Sequence, residues 1–90
     1  MKTYVLDSAK FAGIPEFYDE VSRTFGFFDE FGRNLDALAD CLDDASGLSE
    51  IRTPCSVVWK SSPNDALDPG FREGVFEIFR EVDGIDFRVE

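Results

Sequence analysis

Hydrophobic residues recur with the spacing of an amphipathic helix in two stretches of the chain. Residues 14–25 place apolar side chains every three or four positions, which predicts the first helix. Pro15 suits the first turn of this helix and Gly26 suits its C-terminal end. A second helix is predicted from Asn34, which can act as its N-cap, to about Asp44. Its core-facing residues are expected to be Leu35, Leu38 and Leu42.

Three shorter runs have the composition and alternation of β-strands. They are residues 3–6, 55–59 and 85–89. Between the last two, Asp68 as a cap and Pro69 in the first turn predict a further helix. The order strand, helices, strand, helix, strand is a βαβ alternation, which predicts an α/β fold with a parallel sheet.

The composition is that of one globular domain spanning residues 1–90. Hydrophobic residues make up 43% of the chain and the net charge is −10. This charge argues against direct binding to nucleic acid or to an anionic membrane, and it favours a cationic protein partner. No signal peptide is visible, and Cys41 and Cys55 lack the spacing of a disulfide framework or a metal site. We therefore expect a cytoplasmic protein with two free thiols.

The residues needed for common enzymatic chemistry are missing. The chain contains no histidine, which is the commonest general base and metal ligand. It has no phosphate-binding loop, dinucleotide fingerprint or calcium loop, and a serine nucleophile would have no base to activate it. The sequence therefore predicts a protein that is not an enzyme, with no cofactor and no metal site.

Half of the net charge lies in one segment, residues 29–44, which carries a net charge of −5. Four aspartates in it share the side of the predicted helix opposite its leucines. They are Asp36, Asp40, Asp43 and Asp44. A solvated polar face would explain them, but acids at i, i+4 repel by about 0.2–0.5 kcal/mol per pair, and acids at a helix C-terminus oppose the macrodipole. We interpret this face as a binding site whose carboxylates imitate phosphates for a cationic cleft.

The run from Phe31 to Leu42, FGRNLDALADCL, resembles the signature of the barstar family, the intracellular inhibitors of the ribonuclease barnase. The run from Val75 to Glu81, VFEIFRE, resembles the last helix of that family. The resemblance implies a two-layer α/β fold in which a three-stranded parallel sheet packs with three to four helices. It also implies inhibition of a guanyl-specific, barnase-like or related secreted ribonuclease. The second helix and its preceding loop would enter the active site of that enzyme.

The same resemblance implies roles for individual residues. Asp40 matches the carboxylate that enters the phosphate site of the ribonuclease, and Asp36 matches a second carboxylate that contacts an arginine. Glu81 matches a peripheral acidic contact, although a solvated helix residue would look the same. Gly32 and Asn34 match positions that shape the entrance to the helix.

This chain departs from the family pattern in its aromatic residues. Glu30 stands where the family has a tyrosine, and Ala39 and Ala45 replace two tryptophans, while Asp43 and Asp44 replace a near-neutral pair. Fewer aromatic anchors weaken the usual hot-spot contacts, whereas added acids strengthen attraction to a basic partner. We therefore expect a ribonuclease with a more basic rim than that of barnase. The predicted ribonuclease-binding residues are Glu30, Gly32, Asn34, Asp36, Ala39, Asp40, Asp43, Asp44 and Glu81.

The predicted protein is a monomer when free and binds its ribonuclease in a 1:1 complex. Two other functions remain open from the sequence. The missing aromatic residues also suit a regulatory adaptor of the same fold that binds a different basic protein. An acidic carrier protein is suggested by Ser46 within residues 44–48, but carriers are all-helical and three predicted strands count against this alternative.

Overall fold

The computed structural model describes residues 2–27, 34–42, 51–63 and 65–90. Along the chain it contains β1 (Lys2–Asp7), a short 3-10 helix (Ser8–Lys10), α1 (Ile14–Phe25), α2 (Leu35–Leu42), β2 (Cys55–Lys60), α3 (Pro69–Glu81) and β3 (Ile85–Val89). The three predicted strands and the three predicted helices are confirmed, whereas the hydrophobic pattern does not predict the 3-10 helix. The predicted end of the second helix, near Asp44, lies outside the described residues. No helix in the described ranges is long and apolar enough to cross a membrane.

The strand β2 lies at the centre of a three-stranded sheet and pairs in parallel with β1 on one side and β3 on the other. This arrangement confirms the predicted α/β fold. Tyr4, Val57 and Phe87 form one row across the sheet, and all three pack into the core beneath the helices. Because side chains alternate along a strand, Asp86 points to the opposite face of the sheet, where it is exposed.

Aromatic rings fill the space between the sheet and the helices. The ring of Trp59 lies 5.2 Å from that of Phe11 and 5.0 Å from that of Phe76. The rings of Phe79 and Phe87 are stacked, with centroids 5.1 Å apart and planes 8° apart. Full burial of a side chain of this size stabilises the fold by about 1.5–3 kcal/mol, and a well-placed ring pair adds about 0.5–1.5 kcal/mol. These aromatic residues therefore serve the core.

One residue of the predicted apolar face of α1 lies outside the core. Ile14 is 41% exposed, whereas Phe17, Val21 and Phe25 are at most 1% exposed. Ile14 is the first residue of the helix and lies before the turn whose side chains reach the core. The apolar pattern therefore predicts a buried face that begins one turn earlier than the observed one. At the other end, Gly26 adopts the left-handed conformation (φ 67°, ψ 45°) and ends the helix as predicted.

The helix α2 packs against α3 at a point where α3 carries a glycine. A Cβ atom added at Gly74 would lie 3.1 Å from Cδ1 of Leu35, so the missing side chain permits this close approach. Leu38 and Leu42 are completely buried and Cys41 is 3% exposed. These contacts fix one side of α2 in the core and leave the other side to solvent.

Candidate functional site

The structure describes five of the nine predicted binding residues. They are Asn34, Asp36, Ala39 and Asp40 in and beside α2, and Glu81 at the end of α3. The other four predictions, Glu30, Gly32, Asp43 and Asp44, fall outside the described residues.

Asn34 begins α2 as its N-cap. Its side-chain Oδ1 accepts a hydrogen bond from the backbone N–H of Ala37 at 2.8 Å, and its backbone oxygen accepts from the N–H of Leu38 at 2.9 Å. The predicted cap is therefore confirmed. Such a cap stabilises a helix by about 1 kcal/mol, which matters for a helix of only eight residues.

Asp36 and Asp40 are both exposed on α2. Because they are four residues apart, they lie on the same side of the helix and are separated by about 6 Å along its axis. Among the described residues, neither has an ion-pair partner. Asp36 also lies in the first turn, where the helix macrodipole favours a negative charge. The helix thus presents two open carboxylates to an approaching cation.

The thiol of Cys41 lies on the boundary between this acidic side and the core. Burial, and then the neighbouring charge of Asp40, raise the pKa of the Cys41 thiol above its ordinary value. Both effects favour the protonated form, which is a poor nucleophile. Cys55 is also buried, and neither cysteine forms a disulfide bond. This placement agrees with a packing role for Cys41.

A depression of about 280 Å³ lies between α2 and the end of α3, and we refer to it as the Ala39 pocket. It is lined by Ala39, Glu81, Val82 and Asp83. The fold thus brings two predicted site residues, Ala39 and Glu81, to one surface although they are far apart in the sequence. Val82 and Asp83 are absent from the predicted binding site. The helix ends at Glu81 with Val82 as its C-cap, so the prediction from the sequence that Gly84 closes it is wrong by a few residues. An acid in the turn between α3 and β3 was a signal for Asp83, but no local pattern shows which residue of α2 faces it.

The surface formed by α2 and the end of α3 carries carboxylate side chains, namely those of Asp36, Asp40, Glu81 and Asp83. Carboxylates at neutral pH only accept hydrogen bonds, so they suit arginine, lysine and backbone N–H donors. Across the described ranges, no group of three or more histidine, cysteine, aspartate or glutamate side chains could hold a metal ion.

Comparison with known proteins agrees with this geometry. The family model Barstar, described as barnase inhibitor, matches residues 1–90. A curated relative, "Putative ribonuclease inhibitor YrdF" of Bacillus subtilis (strain 168), is 40% identical over 83 residues, which cover 91% of this chain and 86% of YrdF. The match over the whole chain confirms the resemblance carried by the FGRNLDALADCL motif. This protein belongs to the barstar family.

Proposed function

We propose that this protein inhibits a ribonuclease by presenting Asp36 and Asp40 to the basic active site of the enzyme. The observation that carries the proposal is the exposure of both carboxylates, one turn apart, on a helix whose opposite side is buried. Family membership supports the class of partner, because the family is described as barnase inhibitor and the name of YrdF also refers to ribonuclease inhibition.

The two carboxylates would occupy the place of RNA phosphates. A ribonuclease binds phosphates with arginine and lysine, and these side chains form short, charge-assisted hydrogen bonds with carboxylates as well. The helix holds its aspartates in place before binding, so little conformational entropy is lost at the interface. The net charge of −10 adds long-range attraction and accelerates encounter with a basic enzyme.

The proposed partner is a guanyl-specific, secreted ribonuclease of the barnase type or a related type. The inhibitor would act in the cytoplasm as a monomer that binds one ribonuclease molecule. Glu30, Gly32, Asp43 and Asp44 flank α2 in the sequence and would extend the contact. Glu81 would contribute from the end of α3.

The test is a titration of the purified protein against a panel of guanyl-specific ribonucleases, barnase included, with cleavage of a fluorogenic RNA as the readout. Asp40→Ala should raise the inhibition constant about 30- to 5,000-fold, which corresponds to about 2–5 kcal/mol for a truncated interfacial charge pair. That range was established on complexes that include barnase–barstar. Asp86→Ala is the matched control, since this exposed aspartate lies on the opposite face of the sheet, and its effect should stay within about threefold.

Two outcomes would count against the proposal. If the protein at micromolar concentration inhibits no ribonuclease in the panel, the proposal is refuted. If, in addition, affinity capture from the native cell recovered a basic protein that is not a nuclease, the regulatory adaptor would become the better explanation.

A further inference from the structure

The strand β3 forms an outer edge of the sheet. It pairs with β2 on one side, and no strand in the described part of the chain lies on its other side. Glu90 directs both its N–H and its C=O to the β2 side, in hydrogen bonds of 2.8 and 2.7 Å. Since alternate residues of a strand direct these groups to opposite sides, Phe87 and Val89 direct theirs to the open edge. Such an edge is a template for a further strand.

The side chains of β3 leave this edge partly uncovered. Val89 is 44% exposed although it is a large hydrophobic residue, and Ile85 and Phe87 are only half-buried beside the helices. Asp86 and Arg88 point to the opposite face of the sheet, where both are exposed. A further strand would therefore find apolar contacts on one face and charged groups on the other.

The sequence of β3 is its own complement when it is reversed. Asp86 and Arg88 flank Phe87, and Ile85 and Val89 flank these three residues. A two-fold axis at Phe87 would set two copies of the strand antiparallel. Asp86 of each copy would then lie opposite Arg88 of the other, and Ile85 would lie opposite Val89. Opposite charges and opposite apolar residues in such cross-strand positions stabilise a sheet.

The hydrogen-bonding pattern of an antiparallel pair fits the same register. Phe87 of each copy would donate its N–H to the Phe87 oxygen of the other, and Val89 would donate to the oxygen of Ile85. Asp86 and Arg88 would then occupy the positions without hydrogen bonds between the copies. Opposite Cα atoms are only about 4.5 Å apart at such positions, and the side chains are closest there.

Both charged residues of β3 are available for this pairing. The side chain of Arg88 is 59% exposed, and its contact with Glu90 is 4.0 Å long, which makes a weak surface pair. Within the described ranges, Asp86 has no ion-pair partner. The edge strand β1 lacks such a match, because Lys2 and Asp7 are five residues apart and point to opposite faces of the sheet.

We infer that β3 is a self-pairing edge, through which two copies of this protein join their sheets across a two-fold axis at Phe87. The interface is isologous, with both helical layers on the same side of one continuous sheet. An edge of only five residues buries little surface, so the association is weak. The protein therefore stays monomeric at the low concentrations at which inhibition is measured. The inference does not depend on the proposed function.

Charge reversal tests the register. Sedimentation equilibrium of the purified protein between about 0.01 and 1 mM should show a reversible monomer–dimer equilibrium. Arg88→Asp and Asp86→Arg should each weaken association at least about tenfold, because like charges then face each other twice across the axis. Lys60→Asp makes the same change in net charge at an exposed position of β2 and should stay within about threefold. Urea unfolding of each variant checks that the fold is intact.

Mixing the two reversed variants separates the register from a general charge effect. Arg88→Asp carries two acids on the strand and Asp86→Arg carries two bases. An equimolar mixture should therefore form a heterodimer, although each variant alone associates poorly. The protein with both substitutions should associate within about threefold of the wild type, because its two effects compensate. In the wild type, hydrogen exchange of the Phe87 and Val89 amides should slow as the protein concentration rises.

Several results would overturn the inference. If the wild type stays monomeric at about 1 mM, β3 pairs with a strand of another protein or with none. If it dimerises but the charge reversals leave the association unchanged, or if exchange at Phe87 and Val89 does not slow, the dimer uses another surface. Failure of the mixed variants to associate would exclude the proposed register. A protein that inhibits no ribonuclease would refute the proposed function alone, since β3 pairing does not involve the acidic face of α2.

Discussion

Replacing Asn34 with alanine removes the acceptor that holds the first turn of α2. The hydrogen bond from the Ala37 N–H to Oδ1 of Asn34 is 2.8 Å long, and α2 has only eight residues. Loss of a capping side chain costs about 0.5–2 kcal/mol. Asn34 is exposed, so water can satisfy the released N–H, and we expect a loss near the middle of that range, about 1 kcal/mol. For a domain of this size such a loss lowers Tm by about 4–8 °C.

Urea unfolding followed by circular dichroism measures this loss, and Asn34→Asp is the matched variant. Aspartate keeps the acceptor and adds a negative charge that the N-terminus of the helix favours. The stability of Asn34→Asp should therefore equal or exceed that of the wild type. The alanine variant should also weaken ribonuclease inhibition, because fraying of the first turn would loosen Asp36. An unchanged urea midpoint for Asn34→Ala, or an equal loss for Asn34→Asp, would refute the capping argument.

Two further predictions concern backbone conformation and thiol chemistry. Gly84→Ala should lower the free energy of unfolding by about 2–4 kcal/mol, because φ is 87° and the added Cβ would lie 2.7 Å from Cβ of Thr53. Gly13→Ala is the comparison variant, because φ is −176° there, and its free energy of unfolding should fall by less than about 1 kcal/mol. Equal urea midpoints for Gly84→Ala and Gly13→Ala would contradict the prediction. Asp40→Asn should shift the pH profile of Cys41 alkylation to lower pH, because Asp40 helps to raise the pKa of Cys41. The measurement is the rate of alkylation by iodoacetamide, followed by peptide mass. Identical profiles would exclude that contribution. Because the pKa of Cys41 is higher in the folded state than in the unfolded state, the protonated thiol stabilises the fold below about pH 9. This stabilisation is lost as the pH rises further, and urea midpoints measured across that range should fall accordingly.

The parts of the fold that depend on close neighbours in the sequence were predictable. The caps Asn34 and Asp68 each accept a hydrogen bond from an N–H three residues later, so residue type and position are enough to predict them. The parallel sheet follows from the alternation of strands and helices. Asp36 and Asp40 were predictable as a pair because helix geometry alone puts them on the same side as each other and opposite the leucines.

Features that depend on the placement of whole elements were not predictable in this way. Phe76 is only 8% exposed, and its burial depends on the central strand, which brings the ring of Trp59 to 5.0 Å from it. The Ala39 pocket has the same origin. It depends on how closely α2 approaches α3, which the contact of Leu35 with Gly74 sets, and on the turn that follows α3.

Charge and shape have different consequences for the choice of partner. A net charge of −10 attracts any cationic protein, and salt at physiological concentration screens this attraction over a distance of about 8 Å. Asp36 and Asp40 add short-range hydrogen bonding, which any cleft with two suitably placed cations can satisfy. If the proposed interface extends to the Ala39 pocket, Glu81 and Asp83 become part of it, and a carboxylate left unpaired there is unfavourable. Under the proposed function, the acidic face of α2 supplies an attraction that every basic ribonuclease would share, so discrimination between basic ribonucleases has to come from contacts outside that face.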